Sequence, residues 1–405
     1  MLIGIDASRA IVTRPTGTEV YSRRLIQSLL ALESPHRFRL YFRSAPPTNA
    51  FAGAALSVIP FPRLWTHLRL SWEMVRRSPD ALFVPAHVLP LIHPRASLVT
   101  VHDLGYLHFP GAHPWRQRLY LGLSTRWNAR AAAHILVDSE ATKADLVAHY
   151  DAPPEKVTVA YPGYDETLAP VRDLAEVEAV KARYSIAGDY FLYLGTLQPR
   201  KNLTRVVTAF AALKPGLFGI SRGCGFGLPN LLGARREEPE QVRDSDTSST
   251  QTPRDPKPEA SLVLAGKRGW LYQDLFAQVR RMGLEGRVIF PGYVPDEDKA
   301  ALLSGALAFV FPSLYEGFGL PVLEAQACGC PVVTSTTSSL PEVAGDAALL
   351  VDPEDTAGIA AGMQRIAADS VLRESLTGRG FANVRRFSWT GCAESVLSVI
   401  ARFVV

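Results

Sequence analysis

The stretch 316–324 reads EGFGLPVLE and sets two carboxylates, Glu316 and Glu324, at either end of a glycine-rich turn. The apolar run at 307–311 before it predicts a buried parallel strand, and helical spacing begins at Leu320. A strand that turns through glycines into a helix presents free backbone N–H groups and the positive end of a helix dipole, which suit a phosphate. Glu316 could then accept hydrogen bonds from sugar hydroxyls, and Glu324 from a ribose. The alternative is a buried turn with two unrelated glutamates.

A second candidate for phosphate chemistry is the pair Arg200 and Lys201, in the stretch 193–203, which reads YLGTLQPRKNL. The pattern is that of a strand, a turn at Gly195 and two adjacent cations just before a helix. Two cations at the carboxyl end of a strand could neutralise a diphosphate. They would lower a barrier most where a departing phosphate gains charge. The alternative is a solvated pair at a helix start.

Three further candidates lie in the first half of the chain. Gly17 belongs to a loop of small residues, TGTE at 16–19, that opens a helix and lets a ligand approach the backbone. His102 and Asp103 end a predicted strand at the edge of a cleft, although a single histidine is often structural. Ser139 follows another predicted strand, where it could be no more than an N-cap.

Two common nucleotide-binding motifs fail in this sequence. A Gly-x-Gly-x-x-Gly motif that starts at Gly317 has Val322 in place of the third glycine. A Walker loop that ends at Gly266-Lys267 has Ser261 in place of its first glycine. A hydride-transfer enzyme and an NTPase are therefore disfavoured.

Strand-like runs alternate with helical patterns along the chain, which predicts an α/β fold of two doubly wound domains. The first series has strands at 2–6, 38–42, 81–84, 98–102, 135–138 and 157–161, and helices at 19–32, 115–133 and 140–149. The second has strands at 190–194, 262–265, 288–290, 307–311, 331–334 and 348–351, and helices at 202–213, 271–282, 296–304, 320–327, 357–387 and 389–405. Two Rossmann-like halves would face each other across a cleft, with ligands outside the carboxyl ends of the strands.

The predicted organisation is a first domain at 1–165, a charged linker without strands at 166–188 and a second domain at 189–387. Residues 215–259 interrupt the second domain with a glycine-rich stretch and a Ser/Thr/Asp/Pro tail. Such a composition buries too little apolar surface to fold, so we expect a disordered insertion. The last helix, within 388–405, lies beyond the final strand and could pack on either domain.

Length and composition are those of an ordinary soluble protein, with 405 residues, 47% of them hydrophobic and 20% charged. No apolar run is long enough to span a membrane, and the opening MLIGID starts a strand rather than a signal peptide, so we expect a cytoplasmic chain. Residues 1–130 hold 16 Lys and Arg against 6 Asp and Glu, a net charge of +10, whereas the remainder has a net charge of −6. The first domain is therefore the half that favours anionic partners.

Together these motifs resemble glycosyltransferase family 4. The resemblance rests on the two glutamates that enclose seven residues, the GTLQPRKNL turn at 195–203, the HDL strand end at 102–104 and the SLPEVAGD run at 339–346. The motifs follow the order of the family and cover nearly the whole chain except 215–259. The resemblance implies the GT-B fold, a retaining mechanism and a nucleotide-diphosphate sugar as the donor substrate, with no cofactor and no metal.

The resemblance also implies a role for each candidate residue. Arg200 and Lys201 would hold the donor diphosphate, Glu316 would contact the donor sugar, and Glu324 the ribose. His102 would lie beside the reacting carbon and completes the implied catalytic set of His102, Glu316, Arg200 and Lys201. The other donor-binding positions would be Gly17, Gly195, Gly266, Gly317, Phe318, Gly319 and Leu320, whereas Asp103 and Ser139 would lie on the acceptor side. The last helix would cross back onto the first domain at 387–389.

Within the family, the stretch VHDLGYLHFP at 101–110 looks most like mannosyltransferases of bacterial surface polysaccharides. That likeness implies GDP-mannose as the donor and a glycan or lipid-linked glycan as the acceptor. Arginines interleaved with aromatics, as in FPRLW at 61–65 and WRQRLY at 115–120, suit the headgroups of an anionic bilayer, so we expect a peripheral contact with the inner membrane face and no nucleic acid partner. The alternatives that share the architecture are a sugar phosphorylase and a nucleotide-sugar epimerase, and a third is a non-catalytic nucleotide-sugar sensor.

Overall fold

The first half of the chain forms one sheet of seven parallel strands. The computed structural model describes residues 1–12, 17–86, 88–112, 114–213 and 260–403. The strands are β1 (Leu2–Asp6), β2 (Arg37–Phe42), β3 (Ala55–Val58), β4 (Ala81–Val84), β5 (Ala96–Val101), β6 (His134–Val137) and β7 (Val157–Val159). Their order is β3-β2-β1-β4-β5-β6-β7. The helices between them are α1 (Gly17–Ala31), α2 (Ser71–Arg76), α3 (Gly105–His108), α4 (Trp115–Ala131) and α5 (Glu140–Tyr150).

The second half repeats this design with six parallel strands. They are β8 (Tyr190–Leu194), β9 (Ser261–Ala265), β10 (Val288–Gly292), β11 (Ala308–Phe311), β12 (Val332–Ser335) and β13 (Ala348–Val351), in the order β10-β9-β8-β11-β12-β13. The helices are α6 (Leu174–Arg183), α7 (Leu203–Ala211), α8 (Gln273–Arg281), α9 (Asp296–Gly305), α10 (Leu320–Ala327), α11 (Leu340–Ala344), α12 (Thr356–Ala368), α13 (Ser370–Val384) and α14 (Trp389–Ala401). The predicted pair of Rossmann-like, doubly wound sheets is therefore confirmed.

Both sheets are buried on two faces, which explains why their strands read as nearly continuous apolar runs. Phe83 of β4 packs in one core of the first domain, and its neighbours Leu82 and Val84 pack in the other. This alternation follows from the period of two along a strand. The strand order reverses between β1 and β4 in the first sheet, and between β8 and β11 in the second. In open α/β sheets, ligands bind at such a switch point, outside the carboxyl ends of the strands.

The last helix, α14, packs against α1 of the first domain. Trp389 and Cys392 are buried in the same core as Phe83, and Trp389 Nε1 donates to the carbonyl of Tyr164 at 2.9 Å. Gly163 makes this return possible, because a Cβ there would lie 2.3 Å from the backbone nitrogen of Trp389. The chain therefore passes from the second domain back to the first after α13.

Two predicted elements differ from the structure, one strand was not predicted, and one predicted segment lies outside the described residues. Helix α6 occupies much of the predicted linker, and its residues Val177, Val180 and Lys181 are buried. The many charged residues of this segment suggested a linker, although its apolar residues have helical spacing. The predicted helix 357–387 is two helices, α12 and α13. They are separated at Asp369, whose side chain accepts a hydrogen bond from the backbone N–H of Leu372 and so caps the start of α13. Strand β3 was missed because it is an edge strand with a mostly exposed face. The expected insertion at 215–259 lies outside the described residues.

No helix within the described part of the chain is both long enough and apolar enough to cross a membrane.

Candidate active site

Two cations and a carboxylate meet at the switch point of the second sheet. Arg200 and Lys201 lie in the 3-10 turn Pro199–Lys201 after β8, and Glu316 follows β11. Lys201 Nζ donates a hydrogen bond to Glu316, and Arg200 Nη2 lies 4.0 Å from the second oxygen of that carboxylate. Arg200 Nη1 also lies 3.6 Å from Asp103 of the first domain. We call these four residues the charge cluster; it spans both domains.

Hydrogen bonds tie together the two loops that carry the charge cluster. Asn202 has a φ of 62°, a left-handed conformation that asparagine tolerates better than most residues. Its side-chain amide donates to the carbonyls of Pro312 at 3.1 Å and Pro353 at 2.6 Å. The backbone N–H of Leu314 donates to the carbonyl of Arg200 at 2.9 Å. The cations and the carboxylate are thus held in place before any ligand arrives.

Burial and mutual charge set the ionisation of the cluster. Burial would raise the pKa of Glu316, but the charges of Lys201 and Arg200 outweigh it and hold that pKa below its usual value. Burial lowers the pKa of Lys201; the attraction of Glu316 opposes this shift without cancelling it. Glu316 is therefore ionised at neutral pH, so that it can accept hydrogen bonds from sugar hydroxyls but cannot donate a proton.

The turn at Gly317 lies directly against the first domain. A Cβ on Gly317 would lie 2.1 Å from the carbonyl oxygen of His102 and 2.7 Å from the Cβ of Asp103. Ser139 Oγ donates to the carbonyl of Gly317 at 2.7 Å. Only a glycine permits this approach. We call the packing of Gly317 against His102, Asp103 and Ser139 the domain contact.

The backbone at Phe318, Gly319 and Leu320 begins α10, and we predict that it meets the donor. Gly319 has a φ of 114°, which favours glycine, and it is the N-cap of the helix. Ser339 Oγ donates to the carbonyl of Phe318 at 2.6 Å, and the ring of Phe318 packs edge to face on Phe387. The first turn of α10 is thereby fixed in position, next to the charge cluster.

Ser139 is fully buried, with an exposure of 0%. Its hydroxyl caps α5 by accepting from the backbone N–H of Thr142 at 3.1 Å, while it donates to Gly317. This arrangement leaves no surface of Ser139 for an acceptor. It favours the N-cap interpretation that the sequence left open.

Both ring nitrogens of His102 are engaged. Nδ1 lies 2.7 Å from Oδ2 of Asp138, and Nε2 donates to the carbonyl of Pro85 at 2.9 Å. Burial would lower the pKa of His102, but the charge and hydrogen bond of Asp138 and the bond to Pro85 outweigh it and raise that pKa. Because both partners offer acceptor oxygens, this environment favours the protonated ring, in which both nitrogens donate. His102 is therefore poorly suited to act as a general base.

We expect the change Asp138→Asn to lower the pKa of His102, because it removes an opposite charge in direct contact with the ring. A pH titration of the histidine ring signals by NMR would measure the shift. Asp151→Asn, a change of an exposed aspartate after α5, is the control and should leave His102 unaffected. An unchanged pKa in Asp138→Asn would contradict the pairing.

Glu324 is paired on α10 with a different cation. Its carboxylate oxygens each lie 3.5 Å from Nζ of Lys299 on α9. Burial raises the pKa of Glu324, and the charge of Lys299 offsets this only in part. A contact of this length is weak, so the carboxylate could exchange it for hydrogen bonds from a ribose diol.

The three remaining glycines of the predicted donor site have different environments. A Cβ on Gly266 would lie 1.8 Å from the carbonyl oxygen of Gly195, and both have φ near 150°, at 146° and 151°. These two glycines therefore let the ends of β8 and β9 pack closely. Gly17 begins α1 with open space around its Cβ position, and residues 13–16 before it lie outside the described residues.

A cavity of about 380 Å³ opens at the carboxyl ends of β1 and β2 in the first domain, and the sequence did not reveal it. Its lining combines two arginines, Arg9 and Arg43, with the rings of Trp65, His67 and Tyr120. His67 Nδ1 is buried without a hydrogen-bond partner among the described residues. The lining also includes Leu64, whose φ of 53° is rare for leucine, at the start of a π-helical turn. Strained backbone and π-helical turns are frequent at functional sites. In the sequence, only the arginines that follow β1 and β2, Arg9 and Arg43, could have indicated this cavity.

Comparison with known protein families finds two matches. The family described as Glycosyltransferase Family 4 matches residues 15–168, and the one described as Glycosyl transferases group 1 matches residues 248–381. The O-antigen chain mannosyltransferase B of Escherichia coli is 32% identical over 337 residues, which are 83% of this chain and 78% of that protein. The serotype-specific mannosyltransferase WbdA of Escherichia coli is 28% identical over 67% of this chain but only 29% of its own length, so the chain spans less than a third of that relative.

Solved structures share the fold across the whole chain. Sucrose-phosphate synthase of Thermosynechococcus elongatus has a TM-score of 0.73 at 20% identity and covers 100% of this chain and 99% of its own. Alr3699/HepE of Anabaena, in complex with UDP and glucose, has a TM-score of 0.69 at 16% identity and covers 99% of each chain. At these identities the likeness shows the fold alone, which is the predicted GT-B fold.

Proposed function

The chain belongs to glycosyltransferase family 4, and on that premise we propose that it transfers mannose from GDP-mannose to a glycan or lipid-linked glycan of a surface polysaccharide, with retention of configuration. The observation that carries the proposal is the charge cluster at the switch point of the second sheet, beside the domain contact. The names of the two mannosyltransferase relatives support the choice of mannose.

The charge cluster can accommodate a diphosphate without a metal ion. Arg200 and Lys201 provide two fixed positive charges, and both are held by carboxylates, Asp103 and Glu316, that compete with an incoming phosphate. A diphosphate that displaces these contacts would release Glu316 to accept hydrogen bonds from the donor sugar. Positive groups fixed next to the leaving phosphate stabilise its developing charge in the transition state.

We expect the two glutamates to differ in kinetics. Glu316→Gln should lower the kcat of the folded enzyme by about 10²-fold, because this carboxylate lies among the cations where the sugar bond breaks. The change also leaves the buried Lys201 without its charged partner, so thermal melting is measured beside the rates. Glu324→Gln should mainly raise the KM for the donor, because a ribose contact is equally strong in the ground and transition states. Initial rates over a range of donor concentrations would separate kcat from KM. The reverse pattern would mean that the two roles are exchanged.

We propose that the acceptor glycan binds in the cavity of the first domain. The ring of Tyr120, which is 50% exposed, offers an apolar face to a sugar ring, and the unpartnered nitrogen of His67 offers a hydrogen bond to a hydroxyl. Arg9 and Arg43 suit an acceptor that carries negative charge. The cavity lies at the carboxyl ends of strands in the first sheet, as the charge cluster does in the second.

The proposed membrane contact has two exposed apolar stripes in the first domain. Leu68, Trp72 and Val75 are 50–57% exposed along the continuous helical segment 65–76. Trp115, Leu119 and Leu123 are 55–66% exposed along one face of α4. Their spacing of three and four residues places each set on one helix face. Exposed arginines flank both stripes, namely Arg63, Arg76, Arg116 and Arg118.

We expect the protein to bind vesicles of phosphatidylglycerol and phosphatidylcholine, with an affinity that falls as salt rises. Arg63→Glu/Arg76→Glu should weaken binding by about 30-fold or more, since each cation near such a surface contributes about 1 kcal/mol. Arg69 is a poorer choice because it pairs with Glu73 at 3.1 Å. Arg280→Glu/Arg281→Glu on α8 makes the same charge change in the second domain and should leave binding intact. No vesicle binding at low salt would favour a soluble acceptor.

A panel of nucleotide sugars tests the proposed reaction. With GDP-mannose and the purified protein, slow release of GDP is expected without acceptor, at a higher rate than nucleotide release from UDP-sugars. A sugar phosphorylase would instead carry pyridoxal phosphate and show its absorbance. An epimerase would change the donor sugar without releasing nucleotide, and a sensor would bind a donor without turning it over.

A further inference from the structure

Three side chains that could ligate a metal ion converge beside the domain contact. His108 is the last residue of α3, and Asp145 and His149 lie one turn apart on α5. One ligand atom of each residue lies within 4.8 Å of the others. His108 Nε2 is 2.9 Å from Oδ2 of Asp145, and the two imidazole rings are 6.1 Å apart between centroids. No sequence motif assigns a role to any of the three residues.

Their chemistry suits a first-row transition metal. Two imidazoles and one carboxylate form a ligand set typical of Zn²⁺, with water in the fourth position. Asp145 and His149 are four residues apart, so the α-helix places both on one face. His108 and His149 are exposed at the surface and Asp145 is half-buried, so an ion could enter from solvent.

The second domain also contacts this cluster. The hydroxyl of Tyr315 donates to Oδ2 of Asp145 at 2.8 Å. Its ring stacks on the ring of His108, with centroids 4.6 Å apart and an angle of 24°. Groups that hydrogen-bond to metal ligands orient them and raise affinity. Tyr315 immediately precedes Glu316, so the cluster adjoins the loop that bears the donor-site carboxylate.

We propose that His108, Asp145 and His149 bind one Zn²⁺ ion, and that Tyr315 of the second domain positions the carboxylate ligand. The ion would hold α3 to α5 and would favour the observed position of Tyr315 against His108 and Asp145. It is separate from the charge cluster, where Arg200 and Lys201 supply the positive charge. The competing interpretation is a hydrogen-bonded surface group that has no affinity for metal.

The test is a titration of the metal-free, full-length protein with Zn²⁺, and with Co²⁺ as a spectroscopic probe. We expect one equivalent to bind, with visible Co²⁺ bands typical of nitrogen and oxygen ligands in a low-coordinate site. His108→Ala, Asp145→Asn and His149→Ala should each weaken binding at least tenfold. His36→Ala, a change of a histidine before β2, is the control and should not alter the affinity. Equal affinity in the wild type and all three ligand variants, or no binding, would overturn the proposal.

Tyr315→Phe tests the positioning role separately. The variant keeps the ring that stacks on His108 but loses the hydroxyl that donates to Asp145, so metal affinity should fall about tenfold. An unchanged affinity would leave the three ligands in place and remove Tyr315 from the site. These measurements use neither donor nor acceptor, so their result is independent of whether the proposed glycosyl transfer is correct.

Discussion

Arg200→Ala is expected to lower kcat/KM for the nucleotide sugar by about 10²–10³-fold. The change removes a fixed positive charge that would lie beside the leaving phosphate and stabilise the negative charge it gains in the transition state. The Arg200 side chain bridges Glu316 and Asp103 across the two domains at 4.0 and 3.6 Å. Steady-state rates of nucleotide release would measure the loss. Arg280→Ala, which removes an exposed arginine from α8 of the same domain, should leave the rate unchanged.

Arg200 is a cleaner test than its neighbour. Lys201 is buried in contact with Glu316, and removing one partner of a buried ion pair costs about 3–5 kcal/mol of stability. A loss of activity in Lys201→Ala would therefore mix catalysis with unfolding. Thermal melting of Arg200→Ala should stay close to that of the wild type. Unchanged kinetics in that variant would refute the assignment of the diphosphate site.

Gly317→Ala is expected to lower kcat/KM by about 10²-fold, because misplacing groups at a reacting centre by about 1 Å costs that much. The added Cβ would lie 2.1 Å from the carbonyl of His102 and 2.7 Å from the Cβ of Asp103. Both neighbours belong to the first domain, so the clash is relieved by separating the domains rather than by unfolding either. Rates and small-angle X-ray scattering together would show a slower, more open protein with an unchanged melting temperature.

Gly378→Ala is the matched control for this change. Gly378 lies on α13 of the same domain, and a Cβ there meets nothing within 4 Å. We expect wild-type activity, with slightly higher stability because alanine favours a helix. Full activity of Gly317→Ala would contradict the view that the reaction takes place with the domain contact formed.

Most of the fold could be predicted from the sequence because its strands are buried on both faces. Strands such as β4 and β8 are uninterrupted apolar runs between turn residues, and little else in a chain of this kind has that pattern. Strand β3 and helix α6 lack it. Strand β3 is mostly exposed at a sheet edge, and helix α6 buries one stripe of an otherwise charged segment.

The candidate site was predictable where its residues lie in short sequence motifs at strand ends. Arg200, Lys201 and Glu316 meet because β8 and β11 are neighbours at the switch point, which the α/β alternation implies. His102, Pro85 and Asp138 also follow neighbouring strands, β5, β4 and β6, but no sequence motif indicated that these three residues contact one another. The cavity of the first domain and the cluster of His108, Asp145 and His149 were not predicted either, because their residues come from separate segments of the chain. Such sites depend on which loops meet in space, and spacing along one segment does not encode that.

The most direct test of the donor site compares the binding of GDP and GMP to the wild type and to Arg200→Ala by calorimetry. The charge cluster should make the wild type prefer the diphosphate, because Arg200 and Lys201 form charge-assisted contacts with the additional phosphate. Arg200→Ala should lose much of that preference while it binds GMP about as well as the wild type does. If the two proteins show the same preference for GDP over GMP, the charge cluster does not hold the diphosphate, and the account of this cleft as a donor site is contradicted.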